Sequence, residues 1–62
     1  MNSDEAERRL ATIQTRVAWF LAEADVETFW EEDAAIPYTL LRTAPASCKI
    51  VWDDGVTAYV SS

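Results

Sequence analysis

Residues 23–33 read EADVETFWEED, and the secondary structure of this segment decides how the whole chain folds. The segment carries six carboxylates around one valine and two aromatic residues, and no Lys or Arg occurs between Arg16 and Arg42. The chain has 11 acidic and 5 basic residues, so removing these six acids leaves five of each sign. The net charge of −6 therefore comes from this one segment.

Apolar residues recur at helical spacing in the segment. They are Val26, Phe29, Trp30 and Ala34. This spacing favours a short second helix over residues 25–35, capped by its first residue and stopped by Pro37. A strand over residues 26–31 is the alternative, because Val, Thr, Phe and Trp all favour sheets. Such a strand would place Phe29 on the same face as two acids, whereas a helix keeps most acids away from the aromatic rings, so we favour the helix.

The N-terminal third predicts a long helix that begins at Asn2 or Ser3, either of which can cap the first turn. An apolar stripe then runs over about five turns. It consists of Ala6, Leu10, Ile13, Val17, Phe20, Leu21 and Ala24. Trp19 falls on the opposite, polar face. Either another element covers it or it stacks on Arg16, or it is an exposed anchor for a protein partner.

The C-terminal half predicts three antiparallel strands. Residues 38–43 (YTLLRT) form the first strand, and a loop at 44–47 follows it, marked by Pro45. The sequence CKIVWDDGVTAYV then indicates a hairpin over residues 48–60. A two-residue turn would mix apolar and polar residues on each face, whereas a three-residue loop, with Gly55 in a left-handed conformation, leaves one apolar face. That loop pairs Trp52 with Val56, Ile50 with Ala58 and Cys48 with Val60.

The predicted fold is therefore α+β, with a long N-terminal helix, a short acidic helix and a three-stranded antiparallel meander packed on the first helix. Sixty-two residues allow one domain, over residues 1–62. The lone Cys48 and the lack of a signal peptide are typical of a reducing cytosol, so we expect a cytoplasmic protein. No apolar run approaches the ~18 residues of a membrane span.

The residue types argue against an enzyme. The chain has no histidine, which removes the commonest general base and most transition-metal sites. Cys48 has no histidine partner and is expected to be buried as a small hydrophobic residue. The single Gly55 excludes a glycine-rich phosphate loop. Neither acidic group has the alternating ligands of a calcium loop, so we expect no cofactor and no dedicated metal site.

The acidic segment is the predicted partner-binding surface. If the helix runs through the segment, Glu23, Glu27 and Glu31 form a ladder in which each like-charged step costs roughly 0.2–0.5 kcal/mol. Glu31, Glu32 and Asp33 also oppose the dipole at the end of that helix. Places where a sequence works against its own fold are candidate functional sites. The predicted site is Glu23, Glu27, Glu31, Glu32 and Asp33, with Trp19 as an apolar anchor; an acidic face kept for solubility is the alternative.

Carboxylates on a rigid scaffold can present charge to Arg and Lys much as phosphates do. In size, acidity and lack of catalytic residues, the chain resembles the small phage-encoded inhibitors of bacterial defence, especially the anti-CRISPR proteins that mimic DNA. The resemblance is to the class and includes no motif, so no functional residue carries over from it. It implies a basic nucleic-acid-binding partner in a bacterial cytoplasm, such as a CRISPR effector complex. The pI of about 4.2 argues against direct binding of nucleic acid or an anionic membrane, since both would be repelled. The alternative is a small regulatory or antitoxin-like subunit that binds a protein, or itself, through an apolar surface.

Overall fold

A computed structural model describes residues 3–61, apart from the side chain of Ser3. The predicted cap at Asn2 or Ser3 lies outside this part. The fold is α+β, as predicted, and residues 3–61 form two helices followed by one antiparallel sheet of four strands in the order β1-β2-β3-β4. The elements are α1 (Ser3–Thr12), α2 (Gln14–Ala22), β1 (Thr28–Glu31), β2 (Tyr38–Ala44), β3 (Ser47–Trp52) and β4 (Thr57–Ser61).

The predicted long helix is wrong in one respect, because it is divided into α1 and α2 at Ile13. The Thr12 hydroxyl donates to the carbonyl of Arg9 at 2.7 Å. In an uninterrupted α-helix that carbonyl would accept the N–H of Ile13. The Ile13 N–H instead donates to Leu10 at 3.1 Å, one residue closer in sequence. A threonine bonding back to its own helix therefore explains the interruption.

The predicted helix over residues 25–35 is wrong, and the alternative of a strand is correct. α2 ends at Ala22, and residues 28–31 form β1, which pairs with β2. The sheet thus has four strands where three were predicted. Alternation does put Phe29 and Glu31 on one face. The fold accommodates this because Phe29 packs against the core and the carboxylate of Glu31 lies 3.6 Å from the guanidinium of Arg16.

The predicted hairpin is confirmed in its register. β3 pairs with β4 so that Cys48 faces Val60 and Ile50 faces Ala58. The Trp52 N–H donates to the Val56 carbonyl at 2.9 Å, which closes a loop over residues 53–55. Gly55 has a φ of +96°, a conformation that side chains disfavour and glycine accepts readily. The first predicted strand is also confirmed, since β2 covers residues 38–44.

The core lies between α2 and one face of the sheet. α2 contributes Val17 and Phe20. The strands contribute Tyr38, Leu40, Cys48, Ile50, Trp52 and Ala58. Partly buried residues of the predicted helical stripe, including Ala6, Leu10, Ile13 and Leu21, pack around this core. Cys48 is 1% exposed, so the predicted buried role of the cysteine is confirmed.

Candidate functional site

β1 lies at one edge of the sheet, with β2 on one side and, within residues 3–61, no strand on the other. The Arg42 N–H donates to the Glu27 carbonyl at 2.9 Å, just before β1 begins. In an antiparallel pair, the residues whose backbone groups bond across the pair alternate with residues whose groups point away. Phe29 and Glu31 follow Glu27 in this alternation and bond to β2. The backbone N–H and C=O groups of Thr28 and Trp30 therefore point to the open edge.

The acids of residues 23–33 lie at the two ends of this edge strand. Glu23, Asp25 and Glu27 precede β1, and Glu32 and Asp33 follow it; all five are exposed. The five steps from Glu27 to Glu32 span about 17 Å in an extended chain. None of these five side chains forms an ion pair within residues 3–61. The edge strand is therefore flanked by acids that have no ion-pair partner within residues 3–61.

Glu31 differs from the other acids of the predicted site. Its Oε1 lies 3.6 Å from Nε of Arg16, its Oε2 accepts the Asp33 N–H at 3.2 Å, and its side chain is 19% exposed. It sits on the helix side of the sheet beside Tyr38. Burial first, and then the negative charge of Glu31, raise the pKa of the Tyr38 hydroxyl, while Arg16 opposes the shift. Glu31 thus helps to hold α2 against β1.

The predicted ladder of Glu23, Glu27 and Glu31 does not exist. Glu23 is the residue that follows α2, Glu27 precedes β1 and Glu31 ends β1, so the three do not share a helix face. The structure instead separates the predicted acids into the exposed groups at the two ends of β1 and the internally paired Glu31. The preference of Thr28, Phe29 and Trp30 for sheets was the signal in the sequence that could have shown this arrangement.

The basic residues are largely engaged within the chain. Arg8 and Arg9 pair with Glu5, and Arg9 also pairs with Asp54. The Arg42 guanidinium donates to main-chain carbonyls of Phe20, Glu23, Val26 and Pro45. Lys49 lies on the outer sheet face with its Nζ 5.9 Å from the Tyr59 ring centroid. Because carbonyls are neutral, Arg42 keeps its positive charge beside Glu23 and Val26, where it offsets part of the negative charge that precedes β1.

Trp19 is partly covered by other side chains, as expected if another element covers it or if it stacks on Arg16. The Arg16 guanidinium lies 5.1 Å from its ring centroid, and the Phe29 ring meets it edge-on at 5.3 Å. Its exposed fraction is 37%. A cleft of about 520 Å³ opens beside it, lined in part by Arg16, Glu31 and Tyr38. Trp19 therefore holds the junction between α2 and β1 and is only partly available to a partner.

The sheet face away from the helices carries aromatic residues that the predicted site missed. Trp30 is 48% exposed and Tyr59 is 68% exposed. Leu41 and Val51, both partly buried, lie on the same face. Val51 is paired with Thr39, which is paired with Trp30. Leu41 is paired with Lys49, which is paired with Tyr59. Trp30 reaches this face because it lies in the strand β1, where successive side chains point to opposite faces of the sheet.

The described residues include one buried thiol and several carboxylates as groups relevant to catalysis or metal binding. Burial raises the pKa of the Cys48 thiol, which makes it a poor nucleophile. Within residues 3–61, no three acidic or sulfur-containing side chains are grouped so as to hold a metal ion. No protein-family model, curated protein or solved structure matches the chain. No helix in the described part is both long and apolar enough to cross a membrane.

Proposed function

We propose that this chain is a non-enzymatic acidic binding protein that inhibits a nucleic-acid-binding partner by occupying its basic groove. The single observation that carries the proposal is the division of charge. Five exposed acids flank β1 without ion-pair partners in residues 3–61, while four of the five basic residues form salt bridges or hydrogen bonds within the chain. A basic groove meeting this edge therefore encounters mainly negative charge.

The spacing of the acids supports contact with a groove rather than with a single basic side chain. The groups at the two ends of β1 are about 17 Å apart along the chain, which is wider than the ~12 Å major groove of DNA. A protein surface that grips phosphates on both sides of a groove presents cations over a similar width. This mode of action matches that of the DNA-mimicking anti-CRISPR class, whose targets work in a bacterial cytoplasm.

The test is competition between this protein and DNA for a candidate target, such as a CRISPR effector complex. The triple variant Glu27→Gln, Glu32→Gln and Asp33→Asn should lose inhibition by at least about tenfold, because each charge lost at a complementary interface weakens association. The matched control is the triple variant Asp4→Asn, Glu7→Gln and Asp53→Asn. It removes three exposed acids elsewhere and therefore has the same net charge as the test variant. Equal inhibition by the two triple variants would contradict the proposal.

A second candidate function rests on the aromatic outer face of the sheet. Trp30 and Tyr59 are exposed there beside the partly buried Leu41 and Val51. A regulatory or antitoxin-like subunit could use this face to bind a protein or a second copy of itself. Salt separates the two functions, because raised ionic strength weakens a charged interface and affects an apolar one little. Trp30→Ser should abolish binding under the second function.

A further inference from the structure

We infer that the open edge of β1 binds an extended basic segment of the partner, which adds a fifth strand to the sheet. The inference rests on the proposed function, since charge selects the occupant. Its starting point is the backbone. Thr28 and Trp30 direct their N–H and C=O groups away from β2, and both residues are exposed. An edge with free donors and acceptors is a template for another strand.

The charges around the edge decide which strand can pair there. Glu27 precedes Thr28, and Glu32 and Asp33 follow the end of β1. A second copy of β1, in either orientation, would bring acids against acids, and like charges opposite each other destabilise a strand pair. A segment with Lys or Arg at alternate positions would meet acids at both ends. Charge repulsion therefore disfavours pairing between the β1 strands of two copies, and the edge favours a basic occupant.

The other edge strand, β4, has no acids within it that would select a basic partner strand. β4 runs from Thr57 to Ser61, and the segment TAYVS contains no acid. Both edges offer backbone groups, but within residues 3–61 only β1 has acids directly adjacent to both of its ends, Glu27 and Glu32. An added strand at β1 would also place alternate side chains beside Trp30 on the outer face and beside Phe29 on the helix side. Backbone bonds would supply affinity, and these neighbours would supply selectivity.

The experiment uses the full chain and a synthetic capped peptide, KVKTKVK, at low ionic strength. Two N-methylated forms of the peptide remove N–H donors from its even or its odd positions and leave its charge unchanged. A paired strand turns only one of these sets toward β1. We expect one form to bind at least about tenfold more weakly and the other to bind like the parent, since the weaker form loses the two hydrogen bonds to the carbonyls of Thr28 and Trp30. Equal binding of all three peptides would overturn the edge pairing.

Thr28→Pro provides the matching change in the protein. Proline at 28 removes the N–H that points to the open edge and keeps the ladder bonds to β2 at residues 27 and 29. It should weaken peptide binding by about fivefold to tenfold. In the wild-type protein, slower hydrogen exchange of the Thr28 and Trp30 amides on adding peptide supports pairing, whatever the stability of the variant. Unchanged exchange of both amides overturns it.

The charge variants separate failure of this inference from failure of the proposed function. If binding depends on Glu27, Glu32 and Asp33 but is insensitive to N-methylation, the function stands and the edge pairing is wrong. If N-methylation matters but the triple variant binds like its charge-matched control, the edge pairs with a strand and the charge-based function is wrong. Absence of parent-peptide binding contradicts the edge pairing, while competition with DNA independently tests the function.

Discussion

Arg9 joins α1 to the β3–β4 loop through a bidentate salt bridge to Asp54. Its Nη1 and Nη2 donate to the two carboxylate oxygens at 2.9 and 2.7 Å, while its Nε donates to Glu5 at 2.8 Å. The guanidinium also lies 5.4 Å from the ring centroid of Trp52, and the Arg9 side chain is only 14% exposed. Arg9 thus connects elements 45 residues apart in sequence and covers one end of the core.

The Arg9–Asp54 pair should make stability depend on pH in the acid range. Hydrogen bonds from Arg9 lower the pKa of Asp54 from 3.8 to about 2. Because the folded state favours the charged carboxylate, its contribution is present above pH 4 and is lost as the pH falls through about 2. Asp54→Asn should therefore flatten the fall in urea midpoint between pH 4 and 2. Asp53→Asn, one residue earlier in the loop, is the control and should keep the wild-type slope.

Removing the Arg42 guanidinium should be among the most destabilising single changes. It donates to the Glu23 carbonyl at 2.8 Å and the Val26 carbonyl at 2.9 Å, and its carbon lies 4.6 Å from the Phe20 ring centroid. Arg42→Ala would leave several carbonyls at the end of α2 without this donor, at a cost of about 3 kcal/mol. Chemical denaturation measures the loss.

Arg42→Lys should recover only part of that loss, because one ammonium cannot reproduce a planar fork of donors. Lys49→Met on the outer sheet face removes a cation that has no hydrogen-bonded role within residues 3–61, and it should change stability by less than about 0.5 kcal/mol. A similar loss in Arg42→Ala and Lys49→Met would contradict this account.

Gly55→Ala should destabilise the hairpin although there is space for a methyl group. A Cβ built on Gly55 meets nothing within 4 Å, but the φ of +96° strains any side-chain-bearing residue. We expect a loss of about 1–2 kcal/mol, measured as a lower urea midpoint. An unchanged midpoint would show that the loop relaxes to a negative φ at no cost.

The sequence predicts local structure best where period and turn chemistry agree. The hairpin register followed from apolar alternation and from Gly55, and both signals point to the same loop. Residues 26–31 carried two conflicting signals. Val26, Phe29 and Trp30 fit a helical period, while their residue types favour a strand. Pairing with β2 decided between them, and that is a long-range interaction that a local pattern does not contain.

The candidate site depended on the same decision. The acids of residues 23–33 were identified from charge alone, and five of them are exposed as a binding surface requires. The way these acids are grouped in space could not be predicted from the sequence. A strand separates Glu27 from Glu32, whereas a helix would have stacked Glu27 on Glu31. The internal role of Glu31 depends on Arg16 in α2, fifteen residues earlier, and no spacing rule predicts that contact.

The two exposed tryptophans should differ in their effect on stability. Trp19 packs edge-on against Phe29 and stacks with Arg16, so Trp19→Ala should cost about 1–2 kcal/mol through lost aromatic and cation–π contacts. Trp30 is 48% exposed on the outer face, so Trp30→Ala should cost less than about 1 kcal/mol. Thermal denaturation of both variants checks the order, and a larger loss in Trp30→Ala would contradict it.

Neutralising the exposed acids around β1 should leave the fold as stable as before. Glu27, Glu32 and Asp33 have no ion-pair partner in residues 3–61, so the triple variant Glu27→Gln, Glu32→Gln and Asp33→Asn should shift the free energy of unfolding by less than about 0.5 kcal/mol. Glu31→Gln is the contrast. It weakens the contact with Arg16 and should cost about 0.5–1 kcal/mol, mostly at low salt. Urea denaturation at two salt concentrations measures both effects. If the triple variant lost more than Glu31→Gln, the acids would be stabilising the fold, and their exposure would no longer indicate a surface kept for binding.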